Sequence, residues 1–123
     1  MIGYVTLGCN DLEKGGAFYD ALLNILSAKR FMSDDRMIIW GKTPGQGMLG
    51  ICSPWDEKSA SVGNGVMIAL NAENQETVRK IHAKALELGA VDEGAPGPRG
   101  SGGSFYGGYF RDLTGNKLVA YCM

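Results

Sequence analysis

No stretch of this chain approaches the roughly twenty consecutive apolar residues that a membrane-spanning helix needs, although hydrophobic residues fill 45% of its 123 positions. Neither charge sign is in excess. Twelve Lys and Arg face thirteen Asp and Glu, interspersed, for a net charge of −1. That excludes the basic footprint of a nucleic-acid or membrane-surface partner. Histidine occurs once, at His82, so no multi-imidazole metal site and no Ser/His/Asp grouping away from that position can be built. The three cysteines, Cys9, Cys52 and Cys122, are odd in number, lack C-x-x-C spacing and sit in apolar strand-like runs. They read as buried reduced thiols, not as a disulfide frame, a redox pair or a soft-metal site. The opening Met1-Ile2-Gly3-Tyr4-Val5 has no basic n-region or long apolar segment, so it does not read as a signal peptide. The chain is expected to be cytoplasmic.

What the chain has in abundance is glycine, nineteen residues concentrated after Gly41 and from Gly89 onward, and a repeat. A shift of sixty-three positions lays Tyr4-Val5-Thr6-Leu7 over Met67-Ile68-Ala69-Leu70, and the overlay runs on through Phe18 over Ile81 and Leu23 over Leu86. Few letters coincide, so the repeat lives in the pattern: a short apolar strand, a polar break, then an amphipathic helix. Leu12, Gly15, Gly16, Tyr19, Leu22, Leu23 and Leu26 share one face of the first helix. Val78, Ile81, His82 and Ala85 share one face of the second.

In order, Ile2–Gly8 predicts a strand with Val5 and Leu7 on one face and Tyr4 and Thr6 on the other. Asn10 or Asp11 caps the helix, Asn10 forming a capping box with Glu13. The pair Gly15-Gly16, costly in a helix by about 1 kcal/mol each, predicts a close approach by another element. Ser27–Ser33 and Arg36–Gly41 predict a hairpin turning at Ser33-Asp34-Asp35, and Met48–Cys52 a buried strand. The aperiodic polar stretch 53–64 reads as a linker. Val66–Ala72 and Gln75–Leu88 form the second strand–helix unit. Positions 91–103, with their prolines and glycines, predict a short strand and a long loop. Phe105–Arg111 and Asn116–Cys122 follow as strands joined by the turn Asp112-Leu113-Thr114-Gly115. The class is α+β: strand, helix and three strands, twice.

Asp11-Leu12-Glu13 with Phe18-Tyr19, Ile81-His82-Ala83 with Leu88-Gly89-Ala90, and Tyr109-Phe110-Arg111-Asp112 with Gly115-Asn116-Lys117-Leu118 together resemble the vicinal oxygen chelate superfamily of glyoxalase I, bleomycin-resistance proteins and extradiol dioxygenases. The resemblance covers essentially the whole chain. It implies a single domain over 1–123 made of two βαβββ modules, about 1–55 and 65–123 with a linker near 56–64, forming a curled, partly open eight-stranded barrel around a cleft. It also implies a homodimer. In metal-dependent members the ligands are histidines or glutamines and glutamates on the concave face. Three of their positions correspond here to Tyr4, Met67 and Val119, and the fourth lies on the Met48–Cys52 strand, at Leu49, Gly50, Ile51 or Cys52. Tyr, Met and Val cannot supply the donors a divalent metal needs, so no metal and no cofactor is expected.

By strand alternation Tyr4, Thr6, Met67, Ala69, Val119 and Tyr121 share a face, which Tyr106, Tyr109 and Trp40 or Trp55 are expected to close. Arg99, among glycines, is a candidate anion clasp. Aromatic walls with a few hydroxyls suit a flat, partly apolar small organic molecule. His82 reads as a helix-flank histidine packed beside the sheet. Gly41-Lys42-Thr43 and the glycines at 100, 102 and 103 stand in the wrong contexts for nucleotide loops. The expectation is therefore a metal-free small-molecule-binding protein, with a glyoxalase-like lyase, isomerase or dioxygenase as the alternative.

Overall fold

The computed structural model describes all 123 residues. The chain forms two compact units, Met1–Val62 and Gly63–Met123. The first runs β1 (Tyr4–Gly8), α1 (Leu12–Asn24), β2 (Lys29–Ser33), β3 (Met37–Gly41) and β4 (Met48–Cys52). The second runs β5 (Ile68–Asn71), α2 (Gln75–Glu87), β6 (Val91–Pro98), β7 (Tyr106–Arg111) and β8 (Lys117–Cys122). Each is a four-stranded mixed sheet, ordered β1-β4-β3-β2 and β5-β8-β7-β6, in which the first strand pairs parallel with the last. The fold is α+β, built from two βαβββ modules.

The repeat is visible down to single positions. Asp11 and its overlay partner Asn74 are the two N-caps, accepting from the backbone N–H of Lys14 and Thr77. Asn10 is used otherwise: its side-chain oxygen accepts from the N–H of Ala60 at 2.6 Å and ties the stretch after β4 back to the start of α1. In each sheet the core lies between helix and strands. The register pairs Val5 with Leu49 and Trp40 with Leu49, and correspondingly Ile68 with Leu118 and Phe110 with Leu118. Trp40 and Phe110 are therefore counterparts. So are the helix residues that touch them, Tyr19 at 5.6 Å and His82 at 6.4 Å between ring centroids.

Leu7 and Leu70 are buried, and Val5 and Ile68 half-buried. The helical glycines have the close neighbours expected of them. A Cβ on Gly15 would lie 2.7 Å from Cys9 Sγ and 2.9 Å from Ile51 Cδ1, and one on Gly16 would lie 2.9 Å from Ile38 Cδ1. No buried side-chain nitrogen or oxygen lacks a hydrogen-bond partner. The turn before β8 is organised by buried Asp112, whose Oδ1 accepts from the N–H groups of Thr114, Gly115 and Asn116 while Oδ2 accepts from Asn116 Nδ2.

The main departure from expectation is β6, an eight-residue strand where a short one is predicted. It is the edge of its sheet, where Pro96 and Pro98 need not donate to a further neighbour. Its pairing with β7 shifts register between Asp92 and Gly94 and again between Gly94 and Gly97. No helix is long and apolar enough to cross a membrane.

Candidate functional site

Each sheet has one face covered by its own helix and one that is not, and strand parity decides which residues reach the helix-free face. In the first unit that face carries Tyr4 and Thr6 on β1, Met48, Gly50 and Cys52 on β4, and Met37, Ile39 and Gly41 on β3. The registers Thr6 with Gly50, Ile39 with Gly50 and Met37 with Cys52 set this arrangement. Met32 joins it opposite Ile39. Tyr4 is 56% exposed. The surface is one of thioethers and aliphatic groups. Cys52 lies on it half-exposed, where a buried thiol was expected.

The same face of the second unit has a different chemistry. It carries Met67, Ala69, Lys117, Val119, Tyr121, Gly107, Tyr109 and Arg111, as the registers Ala69 with Val119 and Tyr109 with Val119 require. Phe105 stacks on Tyr121 with ring centroids 5.4 Å apart and planes 8° from parallel. Beside them the Tyr109 ring has the Arg99 guanidinium carbon 5.2 Å and the Lys117 ammonium 5.8 Å from its centroid. Arg111 Nε donates to Glu93 Oε1 at 2.8 Å. That hydrogen bond is the largest reason Glu93 sits below its ordinary pKa.

Of the residues singled out in the sequence, Tyr4 and Thr6 stand together on the first unit. Met67, Arg99, Tyr109, Val119 and Tyr121 stand on the second. Two expected wall residues are elsewhere. Trp40 is 1% exposed under α1, where its Nε1 donates to Asp20 Oδ1 at 2.8 Å and its ring meets Tyr19. Tyr106 lies an odd number of positions from Tyr109 and so points to the opposite side, its hydroxyl 3.3 Å from Arg79 Nη1 on α2. Val119 is fully buried and forms floor, not wall. Trp55 is 85% exposed with the Arg36 guanidinium over its ring, in a crevice of about 550 Å³ beside Pro54. Phe105 and Lys117 were missed. Lys117 sits on the parity of Val119 and Tyr121, a signal available from alternation alone.

The register also settles the fourth position of the resemblance's metal set. Thr6 overlays Ala69, Thr6 pairs with Gly50 and Ala69 with Val119, so the counterpart of Val119 is Gly50. The side chains at these positions are a phenol and a hydrogen on the first unit and a thioether and an isopropyl group on the second, none of them an imidazole, carboxylate or thiolate donor. No group of three or more His, Cys, Asp and Glu side chains is placed to hold a metal. His82 is engaged structurally. Its Nε2 lies 3.0 Å from Asp92 Oδ1 and 3.2 Å from the Tyr109 carbonyl oxygen, so it carries the proton and donates to both. Asp92 is held below its ordinary pKa by the Gly94 N–H first and by His82 second.

Comparison with known proteins follows the same lines. The family model described as glyoxalase/bleomycin resistance protein/dioxygenase superfamily matches residues 1–119. Among solved structures, a glyoxalase/bleomycin resistance protein from Albidiferax ferrireducens T118 is 33% identical with a TM-score of 0.89, over 98% of this chain and 97% of that one. A lactoylglutathione lyase from Agrobacterium tumefaciens is 19% identical with a TM-score of 0.68, over 98% and 92%. A fosfomycin resistance protein from Mesorhizobium loti is 17% identical with a TM-score of 0.70, over 100% and 91%. These last two share the fold alone. No curated protein matches the chain.

Proposed function

Because the chain belongs to the glyoxalase/bleomycin resistance protein/dioxygenase superfamily, we propose that it is a metal-free member that binds a small planar, partly apolar organic molecule. Its binding surface is the helix-free face of the second sheet. The observation that carries this reading is the stacked Phe105–Tyr121 pair beside Tyr109. Rings on a sheet face present flat area with little side-chain entropy to lose on binding, and a stacked planar ligand gains about 1–3 kcal/mol per ring. The absence of imidazole, carboxylate and thiolate donors at Tyr4, Gly50, Met67 and Val119 supports binding without a metal. Sequestration of a ligand needs only shape and stacking.

The chain acts on this reading as one glyoxalase-like domain of two modules, in the cytoplasm, with no nucleic acid or membrane partner. It is a homodimer, whose partner covers exposed sheet edges and the apolar side chains of Tyr4, Val66 and Met67. The test is metal retention. Protein incubated with Zn, Ni, Mn or Fe(II) and desalted should hold no stoichiometric metal by mass spectrometry. One ion per chain would overturn the reading in favour of a lyase, isomerase or dioxygenase with an atypical site. Light scattering should give a dimer at micromolar concentration.

A further inference from the structure

We infer that the ligand of this face is an anion: a planar aromatic carboxylate or a close relative, its charge held between Arg99 and Lys117 at the edge of the Tyr109 ring. The inference rests on the proposed binding role of that face and adds the charge of what it binds. Its basis is a pair of cations brought to one ring, one from just beyond β6 and one from β8, neither directly ion-paired with a carboxylate. Lys117 opens β8 and makes no direct ion pair, its charge reaching Glu93 only at longer range. Arg99 follows β6 and donates only to neutral backbone oxygens, those of Ala95 at 2.6 Å and Pro98 at 3.2 Å. Glu93, the one carboxylate at hand, is already taken by Arg111.

The chain gives up regular structure to put Arg99 there. Gly94 has φ of +152°, a backbone that side chains rarely adopt. The two register shifts of β6 fall at Gly94 and Gly97. A Cβ on either glycine would stand 3.2 Å from a guanidinium nitrogen. Bare backbone at 94 and 97 is therefore the cradle in which the guanidinium lies over the ring. Pinning of the β6 loop would explain Arg99 alone. It does not account for a second cation from β8 against the same ring, where a bound anion would relieve the repulsion between the two charges. Each contact with the ring face offsets part of that repulsion and holds the cations in place. A carboxylate on a flat ring meets both demands at once: its ring stacks on the aromatic surface and its charge takes charge-assisted hydrogen bonds from Lys117 and from the guanidinium donors.

The experiment compares 2-naphthoate with its neutral isostere 2-naphthamide by isothermal titration calorimetry, at low salt and in 0.5 M NaCl, on the unmodified protein and on Lys117→Met. Naphthoate should bind about tenfold or more tighter than the amide, as expected for charge-assisted contacts. The preference should shrink in high salt and fall several-fold in Lys117→Met. Equal affinity for the two probes, or a preference untouched by Lys117→Met, overturns the anion inference and leaves the aromatic surface standing. Failure of both probes to bind overturns the binding role itself, and the anion inference with it.

Discussion

The two units of this protein share a scaffold and differ in what they display on it. Both turn a strand into a capped helix, lay that helix over an aromatic ring at the same register position, and leave the opposite face of the sheet without a helix. On the covered side the correspondence is close: Tyr19 against Trp40, His82 against Phe110. On the helix-free side it breaks down. Ile39 is the counterpart of Tyr109, Met48 of Lys117, Cys52 of Tyr121 and Gly50 of Val119. Packing demands a core ring under the helix in both copies, whereas the helix-free faces differ residue by residue. One carries thioethers and aliphatics, and the other rings and cations. The methionines suit adaptable apolar contact, and the rings with their cations suit recognition of a ligand.

The largest effects should come from the shared side. Trp40→Ala and Phe110→Ala should each destabilise by about 3–5 kcal/mol, the cost of emptying a buried aromatic site, in urea denaturation. A small loss at one of the two would break the equivalence of the units. Next, Asp112→Ala in the second unit strips the acceptor from three backbone N–H groups of a buried turn and should cost about 2–3 kcal/mol by the same measurement.

The free faces should respond in binding, not in stability. Tyr109→Ala or Tyr121→Ala should weaken a planar probe by about 1–3 kcal/mol. Met37→Ala and Met48→Ala on the first unit should leave it unchanged. Equal losses from both faces would remove the distinction between them.

The smallest effect concerns pH. Asp20 is held below its ordinary pKa chiefly by its hydrogen bond from Arg30, against the opposing cost of partial burial, with the Trp40 indole assisting. Its stabilising contribution is therefore complete above the unfolded value of about 3.9 and is lost as pH falls through the lower folded value. Both partners are more than a third exposed, so screening limits the term to under about 1 kcal/mol. Asp20→Asn should flatten the acid limb of stability by that amount.

Much of this was readable from the sequence because the repeat supplied each expectation twice. The strands, the helices, the Asp11 cap, the close approach at Gly15-Gly16 and the turn at Asp112-Leu113-Thr114-Gly115 all follow from patterns that a backbone imposes locally. The face of Trp40 did not follow. Met37-Ile38-Ile39-Trp40 is apolar throughout, so it carries no alternation from which to read parity. Tyr106 and Tyr109, three apart on a strand, could have been separated by counting alone. The edge strand β6 was hidden by its prolines and glycines, which ordinarily mark a loop. Only the register shows that they form an edge and cradle Arg99.

On the proposed function, a planar ligand is held by the helix-free face of the second unit and not by that of the first. Amide chemical-shift mapping with 2-naphthoate tests it most directly. Perturbations should concentrate on β6, β7, the start of β8 and the segment carrying Arg99 and Phe105, with β3 and β4 silent. Perturbations centred on β3 and β4 around Met37 and Met48, with β7 and β8 unmoved, would contradict it.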